Sequence, residues 1–318
     1  MFAKLIAVSS YLPKKIMSNE DMTKIMDTTD EWIVTRTGIK NRHWAEKNET
    51  TADLGIQAVK RVLEKTGLKP EDFDAIIVST ASSENRWPSV SNQIHGALDF
   101  PRTTMSQDIY AACTGSVYGM SMVSSMIKSG DYKRVLFVSA EKMTNFIDLD
   151  NVDRGYAPIF ADGAGAMVFE ATEEEGIMDS VLCSDGKLGK LLSDKPIDPE
   201  SEEKGMVFRG LDVFKHAIND MPEVLQTLLN KNNLTFEDID LIVPHQANQR
   251  IIDAMVENYK IPVEKVVSTI EHHGNTSSAS IIIALDEQIE NGRAQKGDLI
   301  AFTAFGAGFT WGALLLRL

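Results

Sequence analysis

The chemistry this chain is equipped for starts at Cys113. Upstream, Thr104 to Tyr110 reads as a strand. Downstream, Val117, Met120, Met122, Val123 and Met126 recur at roughly helical spacing as far as Lys128, and Ser129-Gly130 stops the run. Cys113 therefore falls where a strand hands over to a helix. Such a corner combines free backbone N–H groups with the positive end of a helix dipole, and both favour a nucleophilic thiolate over a thiol. The plain alternative is a small buried hydrophobe. A second reactive type, His245, follows the apolar strand Leu241 to Val243 in Pro244-His245-Gln246-Ala247-Asn248, just before a helix near Gln249. Carboxyl ends of strands are where open α/β sheets hold ligands. A third, Asn275, lies in the polar run Glu271 to Ser280 that leads into an apolar helix at Ile281. That run is either a helix cap with surface polar residues or an amide aimed into a cleft. Finally, Phe305-Gly306-Ala307-Gly308-Phe309-Thr310-Trp311-Gly312 joins two apolar strands. Its glycines permit close backbone approach, and the Ala307 N–H is a candidate oxyanion donor. Cysteine, histidine and asparagine together point to acyl chemistry on an activated thiol.

The elements that must bring these residues together are legible in outline. Residues 3–9 form a first strand. Ser18 and Thr29 open helices in capping style, a longer helix runs from Thr51 to Lys65, and the strand Ala75 to Val78 follows. Trp87-Pro88-Ser89 marks a turn before a helix from Val90 to Leu98. Strands are expected over Arg134 to Ser139 and Gly165 to Glu170. The second half repeats the first: Leu68 to Val78 aligns with Leu234 to Val243 at a constant offset of 166 residues, each copy after a long helix, Thr51 to Lys65 and Val213 to Asn230. Strands alternating with helices, read twice, predict an α/β fold of two similar layered halves. The seam is expected in the charged, loop-like stretch Thr172 to Glu203, dividing the chain into residues 1–172 with the cysteine and 173–318 with the histidine and asparagine.

Composition narrows the function classes. With 43% hydrophobic and 25% charged residues, the chain is an ordinary globular one. A net charge of −14 argues against nucleic-acid binding. Two cysteines, no signal-peptide pattern and no apolar run of the ~18–20 residues that span a bilayer make a cytoplasmic protein the expectation, with no membrane partner. Two enzyme classes share the residue set. A papain-like hydrolase also runs Cys, then His about 130 residues on, then Asn; here the gap is 132 residues, but the local cysteine signature is absent and the duplicated pattern is wrong for it. The other class is an acyltransferase acting on thioesters.

In order and spacing, Asp30-Glu31-Trp32-Ile33-Val34-Thr35-Arg36-Thr37-Gly38-Ile39, Ala111-Ala112-Cys113, Asp162-Gly163-Ala164-Gly165-Ala166, His245-Gln246-Ala247-Asn248, Gly274-Asn275-Thr276-Ser277 and the Phe305 to Gly312 loop make a chain that resembles the β-ketoacyl-[acyl-carrier-protein] synthase III enzymes over essentially all 318 residues. The resemblance implies a thiolase-like fold whose duplicated halves stack as five layers, α-β-α-β-α. It implies that Cys113, His245 and Asn275 form the catalytic triad, that the N–H groups of Cys113 and Ala307 hold the oxyanion, and that acyl-CoA is a substrate with no resident cofactor or metal. Trp32 would stack on the adenine with Arg154 on its other face, and Arg36 would pair with phosphate. Gly210, Phe214, Ala247 and Asn248 would line the pantetheine arm. Trp87, supplied from the partner of a homodimer, would close the acyl pocket and favour acetyl or another short primer. Gln246, Arg250, Lys215 and Arg209 would meet an acyl carrier protein. The other readings are an ester- or quinolone-forming thiolase-fold acyltransferase and a non-catalytic scaffold homologue.

Overall fold

The repeat in the sequence has a physical counterpart at two aspartates. The Asp74 N–H donates to the Arg134 carbonyl at 3.0 Å, and its Oδ2 accepts from the Arg134 N–H at 2.9 Å. The Asp240 N–H donates to the Leu299 carbonyl at 3.0 Å, and its Oδ2 accepts from the Leu299 N–H at 2.7 Å. In each half the aspartate at the foot of one strand thus locks the first residue of its parallel neighbour. Before each aspartate, a one-turn 3-10 helix is closed the same way. Asp72 Oδ2 accepts from the Lys69 N–H and Asp238 Oδ2 from the Thr235 N–H, both at 2.8 Å.

The computed structural model describes residues 1–197, 201 and 205–318. Strand β1 (Phe2–Tyr11) and the hairpin strands β2 (Lys15–Ser18) and β3 (Asn41–Trp44) bracket helices α1 (Asn19–Thr23) and α2 (Asp30–Thr37). Then come α3 (Thr51–Thr66), β4 (Ala75–Ser79), α4 (Val90–Ala97), β5 (Met105–Ile109), α5 (Gly115–Lys128), β6 (Arg134–Lys142) and β7 (Asp162–Thr172). The remainder is β8 (Ile177–Ser184), β9 (Leu192–Ser193), β10 (Val207–Phe208), α6 (Gly210–Lys231), β11 (Leu241–Pro244), α7 (Gln249–Tyr259), α8 (Ile270–His273), α9 (Ala279–Glu290), β12 (Leu299–Gly306) and β13 (Thr310–Arg317).

One sheet has the order β1-β7-β6-β4-β5, the other β11-β12-β13-β8. Their side chains alternate between two cores with the period of two that strands impose. Val135 and Phe137 of β6 face α5 and α9, whereas Leu136, Val138 and Ala140 face α3 and α4. In the second sheet, Ile300 and Phe302 of β12 face the same central helices, while Leu299 and Ala301 face α6 and α7. The layers are therefore α3/α4, sheet, α5/α9, sheet, α6/α7: the expected α-β-α-β-α thiolase-like arrangement. Each buried Val, Leu or Phe in these cores stabilises the fold by about 1.5–3 kcal/mol relative to exposure.

The stretch Thr172 to Glu203 is not loop throughout. Its residues 198–200 and 202–203 lie outside the described residues, but β8 within it pairs antiparallel with β13, Trp311 opposite Cys183. The Asp179 and Ser180 pair in the middle of β8 hid its alternation. The β2–β3 hairpin and the single turn α8 are likewise additions to the sequence reading.

Candidate active site

Cys113 sits in a 3-10 turn, Ala112–Thr114, between β5 and α5. Ala112 enters the turn with φ +44°, a left-handed conformation that alanine adopts only when its surroundings enforce it. Two glycines enforce it here. A Cβ on Gly115 would lie 1.8 Å from Ser79 Oγ, and one on Gly306 would lie 2.9 Å from the Cys113 nitrogen. The loop carrying Ala307 can thus press directly on the nucleophile's backbone. Two hydroxyls staple it there: Thr114 Oγ1 and Thr310 Oγ1 are 2.7 Å apart, and Thr114 also donates to the Ala111 carbonyl at 2.6 Å.

The resting state of the sulfur departs from the sequence expectation. Cys113 opens partly onto a cavity, yet protein surrounds it on the other sides, and burial pushes the thiol up to about 12. Desolvation outweighs the helix terminus, because the 3-10 turn precedes α5 and the dipole's effect is confined to one turn. The Ser277 hydroxyl, 3.5 Å from Sγ, acts in the thiolate's favour, and Glu141 acts against it. The site therefore holds a neutral thiol that must lose its proton during the reaction.

His245 follows the last residue of β11, where its N–H donates to the Thr303 carbonyl at 2.8 Å. It is 2% exposed, and burial lowers its pKa to about 3, so the ring is neutral at ordinary pH. Nδ1 lies 2.8 Å from Ser280 Oγ, which also accepts the Gln246 N–H at 3.2 Å. With that N–H received, the Ser280 hydroxyl's own proton is directed at Nδ1. This assigns the neutral tautomer with the proton on Nε2, facing the cavity. Asn275 is oriented in the same manner. Its Oδ1 accepts the Ser277 N–H at 2.8 Å, leaving the NH2 end to donate. Its backbone is pinned on both sides, N–H to the Ile159 carbonyl at 2.9 Å and carbonyl to the Ala161 N–H at 3.0 Å. Cys113, His245, Asn275 and Ala307 all line one cavity of about 920 Å³.

Trp32, Arg36, Arg154, Gly210, Phe214, Ala247, Asn248 and Arg250 line the same cavity. The guanidinium carbons of Arg36 and Arg154 each lie 4.5 Å from the Trp32 ring centroid, in cation–π contact. A base stacking on Trp32 must first lift one of them, and Arg36 is held by the ring rather than projected toward a phosphate. The side chain of Asn248 is committed at both ends, donating to the Arg36 carbonyl at 2.9 Å and accepting the Arg250 N–H at 2.9 Å as the cap of α7. It offers the cavity surface rather than hydrogen bonds. Arg250 lies over the Phe214 ring at 5.2 Å. Lys215 is exposed and 3.7 Å from Asp212, and Arg209 is exposed at the start of α6. Trp87 is 78% exposed and does not line the cavity of its own chain. One assignment is corrected. Gln246 is 1% exposed, donates to the carbonyls of Pro244 at 2.7 Å and Val267 at 3.2 Å, and accepts the Thr269 N–H at 2.8 Å, so it presents nothing to a carrier protein. It is a brace between β11 and the segment before α8.

Sequence reasoning passed over Ser277, Ser280 and Thr310, although all three stand in quoted motifs; their roles depend on which hydroxyl faces which neighbour. It also missed Glu141, whose signal was a lone acid closing the apolar run Val135 to Ala140.

Known proteins with this architecture carry matching sequences. The crystal structure of 3-oxoacyl-[acyl-carrier-protein] synthase III from Aquifex aeolicus VF5 superposes with a TM-score of 0.93 at 41% identity, over 99% of this chain and 100% of that one. Fold and sequence together define a condensing acyltransferase of the thiolase-like class. Family models described as 3-oxoacyl-[acyl-carrier-protein (ACP)] synthase III and its C-terminal part match residues 107–186 and 229–318. Beta-ketoacyl-[acyl-carrier-protein] synthase III of Yersinia pestis (strain Pestoides F) is 41% identical over the full length of both chains. The protein of that name from Xanthomonas euvesicatoria is 40% identical over 100% of this chain and 98% of its own. The chain belongs to the β-ketoacyl-[acyl-carrier-protein] synthase III family. The hydrolase alternative falls with the fold.

Proposed function

We propose that this chain performs the priming condensation of type II fatty-acid synthesis: an acyl group, acetyl or another short primer, passes from acyl-CoA to Cys113 and is joined to malonyl-acyl carrier protein. In the first half-reaction Sγ bonds to the thioester carbonyl carbon, the oxyanion collects on the N–H groups of Cys113 and Ala307, and the carbon–sulfur bond to CoA breaks. In the second, the malonyl carbon–carboxylate bond breaks and carbon dioxide leaves. The electrons move onto the thioester oxygen, to which His245 Nε2–H and the Asn275 amide donate. The resulting enolate attacks the acyl-Cys113 thioester, expelling the sulfur and yielding the 3-ketoacyl-carrier protein. Neutral donors suit this step, since a carboxylate in place of Asn275 would repel the developing charge; one donor of this kind contributes roughly 10²–10³ in rate. The observation that carries the reading is the single cavity shared by Cys113, His245 and Asn275 with Trp32, Arg36 and Arg154.

Acyl-CoA enters as a substrate, not as a resident cofactor. The halves 1–172 and 173–318 supply the sulfur and the two donors respectively. Arg250, Lys215 and Arg209 form the docking patch for the acidic carrier protein, a weak one because Asp212 shares Lys215. The working unit is a cytoplasmic homodimer in which Trp87 reaches the partner's acyl pocket. Among the described residues no helix is long and apolar enough to cross a membrane.

Radiolabelled acetyl-CoA with malonyl-carrier protein tests the reading. Wild type should release carbon dioxide and place label in the 3-ketoacyl product, and Cys113→Ser should do neither. Label transfer that survives Cys113→Ser would remove the proposal.

A further inference from the structure

The reaction as described leaves the destination of the thiol proton open, and it leaves one buried ionisable group unused. Glu141 lies near the end of β6, fully buried. Hydroxyls and one backbone N–H hold it. On Oε2 these are Ser82 Oγ at 2.8 Å, the Ala81 N–H at 3.0 Å and Thr80 Oγ1 at 3.4 Å; on Oε1 it is Ser278 Oγ at 2.7 Å. The adjacent Lys142 turns its ammonium away, to the Glu46 carbonyl at 3.2 Å and to that of Glu49. A buried carboxyl without a cationic partner costs several kcal/mol that an apolar residue of the same size would avoid. Such groups concentrate where chemistry is done.

Ser277 links this carboxyl to the nucleophile. It is held at φ +50°, its hydroxyl is 3.5 Å from Cys113 Sγ, and the same hydroxyl lies close enough to Glu141 to stabilise its carboxylate. Sulfur, hydroxyl and carboxyl thus form a continuous chain walled off from solvent. We propose that Glu141, acting through Ser277, takes the proton of the Cys113 thiol during acylation and returns it to the sulfur when the condensed product departs.

The accounting closes. In acylation the S–H bond breaks and its proton passes to Ser277 Oγ, while the serine's own proton passes to Glu141; Sγ bonds to the acyl carbon, and the departing CoA thiolate is protonated by water. In condensation the acyl–sulfur bond breaks and the thiolate recovers the proton by the reverse route. The one proton consumed per turnover is the one CoA takes up, as decarboxylation of a malonyl thioester requires. The electrostatics favour a shared proton. Ejecting it to solvent would set a thiolate beside a carboxylate in one desolvated corner. Moving it along the chain keeps the total at one negative charge. Burial raises the carboxyl above the usual carboxylate range and raises the thiol as well, which brings donor and acceptor nearer in basicity. The titratable groups facing Glu141 are Cys113 and Tyr110, whose hydroxyl donates to the Ala81 carbonyl at 3.4 Å.

The inference rests on Cys113 being the acyl acceptor, and its test separates the two. Transfer of labelled acetyl from acetyl-CoA to the protein, and alkylation by iodoacetamide, are followed from pH 6 to 9 in wild type, Glu141→Gln and Ser277→Ala. Both variants should acylate about 10²-fold more slowly, and their alkylation profiles should move to higher pH. If Glu141 acts only as a fixed charge, Glu141→Gln removes a repulsion and alkylation becomes faster; that result overturns the relay. Ser277→Ala keeps Glu141 and its other partners, so the question stands even if Glu141→Gln does not fold. Acylation of Ser277→Ala at the wild-type rate overturns the relay too. Wild-type protein that takes up no label at Cys113 would overturn the site assignment and the relay together.

Discussion

A histidine kept neutral by burial has a cost that appears as the solution is acidified. His245 has a folded pKa of about 3, against an ordinary value of 6.5. Below pH 6.5 the unfolded chain binds a proton that the folded one refuses, so this residue's contribution is complete above 6.5 and is lost as pH falls toward 3. Asp162, raised to about 6 by burial, works with the opposite sign: its contribution is present below 3.8 and lost as pH rises through 6. Replacing His245 with Gln isolates the first effect. Between pH 6.5 and 4 the wild type should lose more thermal stability than His245→Gln, by up to about 1.4 kcal/mol per pH unit; parallel melting curves across that range would contradict the assignment. At this scale the identity of Cys113, His245 and Asn275 was legible in the sequence, but their ionisation was not. A dipole argument needs only the corner's place in the chain. Desolvation depends on the far side of the cavity, which comes from the other half. Gln246 went astray for the same reason: beside His245 in sequence, it turns inward.

The elements that hold the site were mostly readable, because caps and period-two alternation are local. The helix Thr51–Thr66, for example, begins at the expected Thr50 cap with its reciprocal Asp53 contact and ends at Gly67 in a left-handed turn. β8 was not readable, since a strand at the edge of a sheet needs to bury only part of one face. The contact between β12 and the Cys113 turn was also invisible, yet it makes a sharp test. Gly306→Ala places a Cβ 2.9 Å from the Cys113 nitrogen and 3.0 Å from its Cβ. The corner must shift by tenths of an ångström, which moves the oxyanion donors more than it loosens the core. Acetyl transfer should fall at least tenfold with a melting temperature within a few degrees of wild type. Unchanged turnover would mean that the loop is not the donor's support.

The whole molecule leaves β5 as the outer strand of its first sheet. Asp108 on that strand accepts the Val90 and Ser91 N–H groups, both at 2.8 Å, and so ties the turn bearing Trp87 to the sheet edge. An unpaired edge with an exposed indole beside it suits pairing with a second copy. In the proposed dimer each pocket's length limit is set by the other subunit. Trp87→Ala should therefore raise octanoyl-CoA use relative to acetyl-CoA while leaving the protein folded. An unchanged ratio of the two primers would exclude Trp87 as the stop.

The two left-handed residues, Ala112 and Ser277, stand 165 residues apart, each one step before the start of a corner into a central helix. The residue after Ala112 is the thiol, and the residue after Ser277 is Ser278, wholly buried with its hydroxyl on Glu141. The halves are thus twins that specialised apart. One kept its corner open and reactive, while the other sealed its own and turned it into scaffolding for the sibling. A nucleophile grafted onto the second corner would find no substrate, for that doorway was bricked up to steady the first.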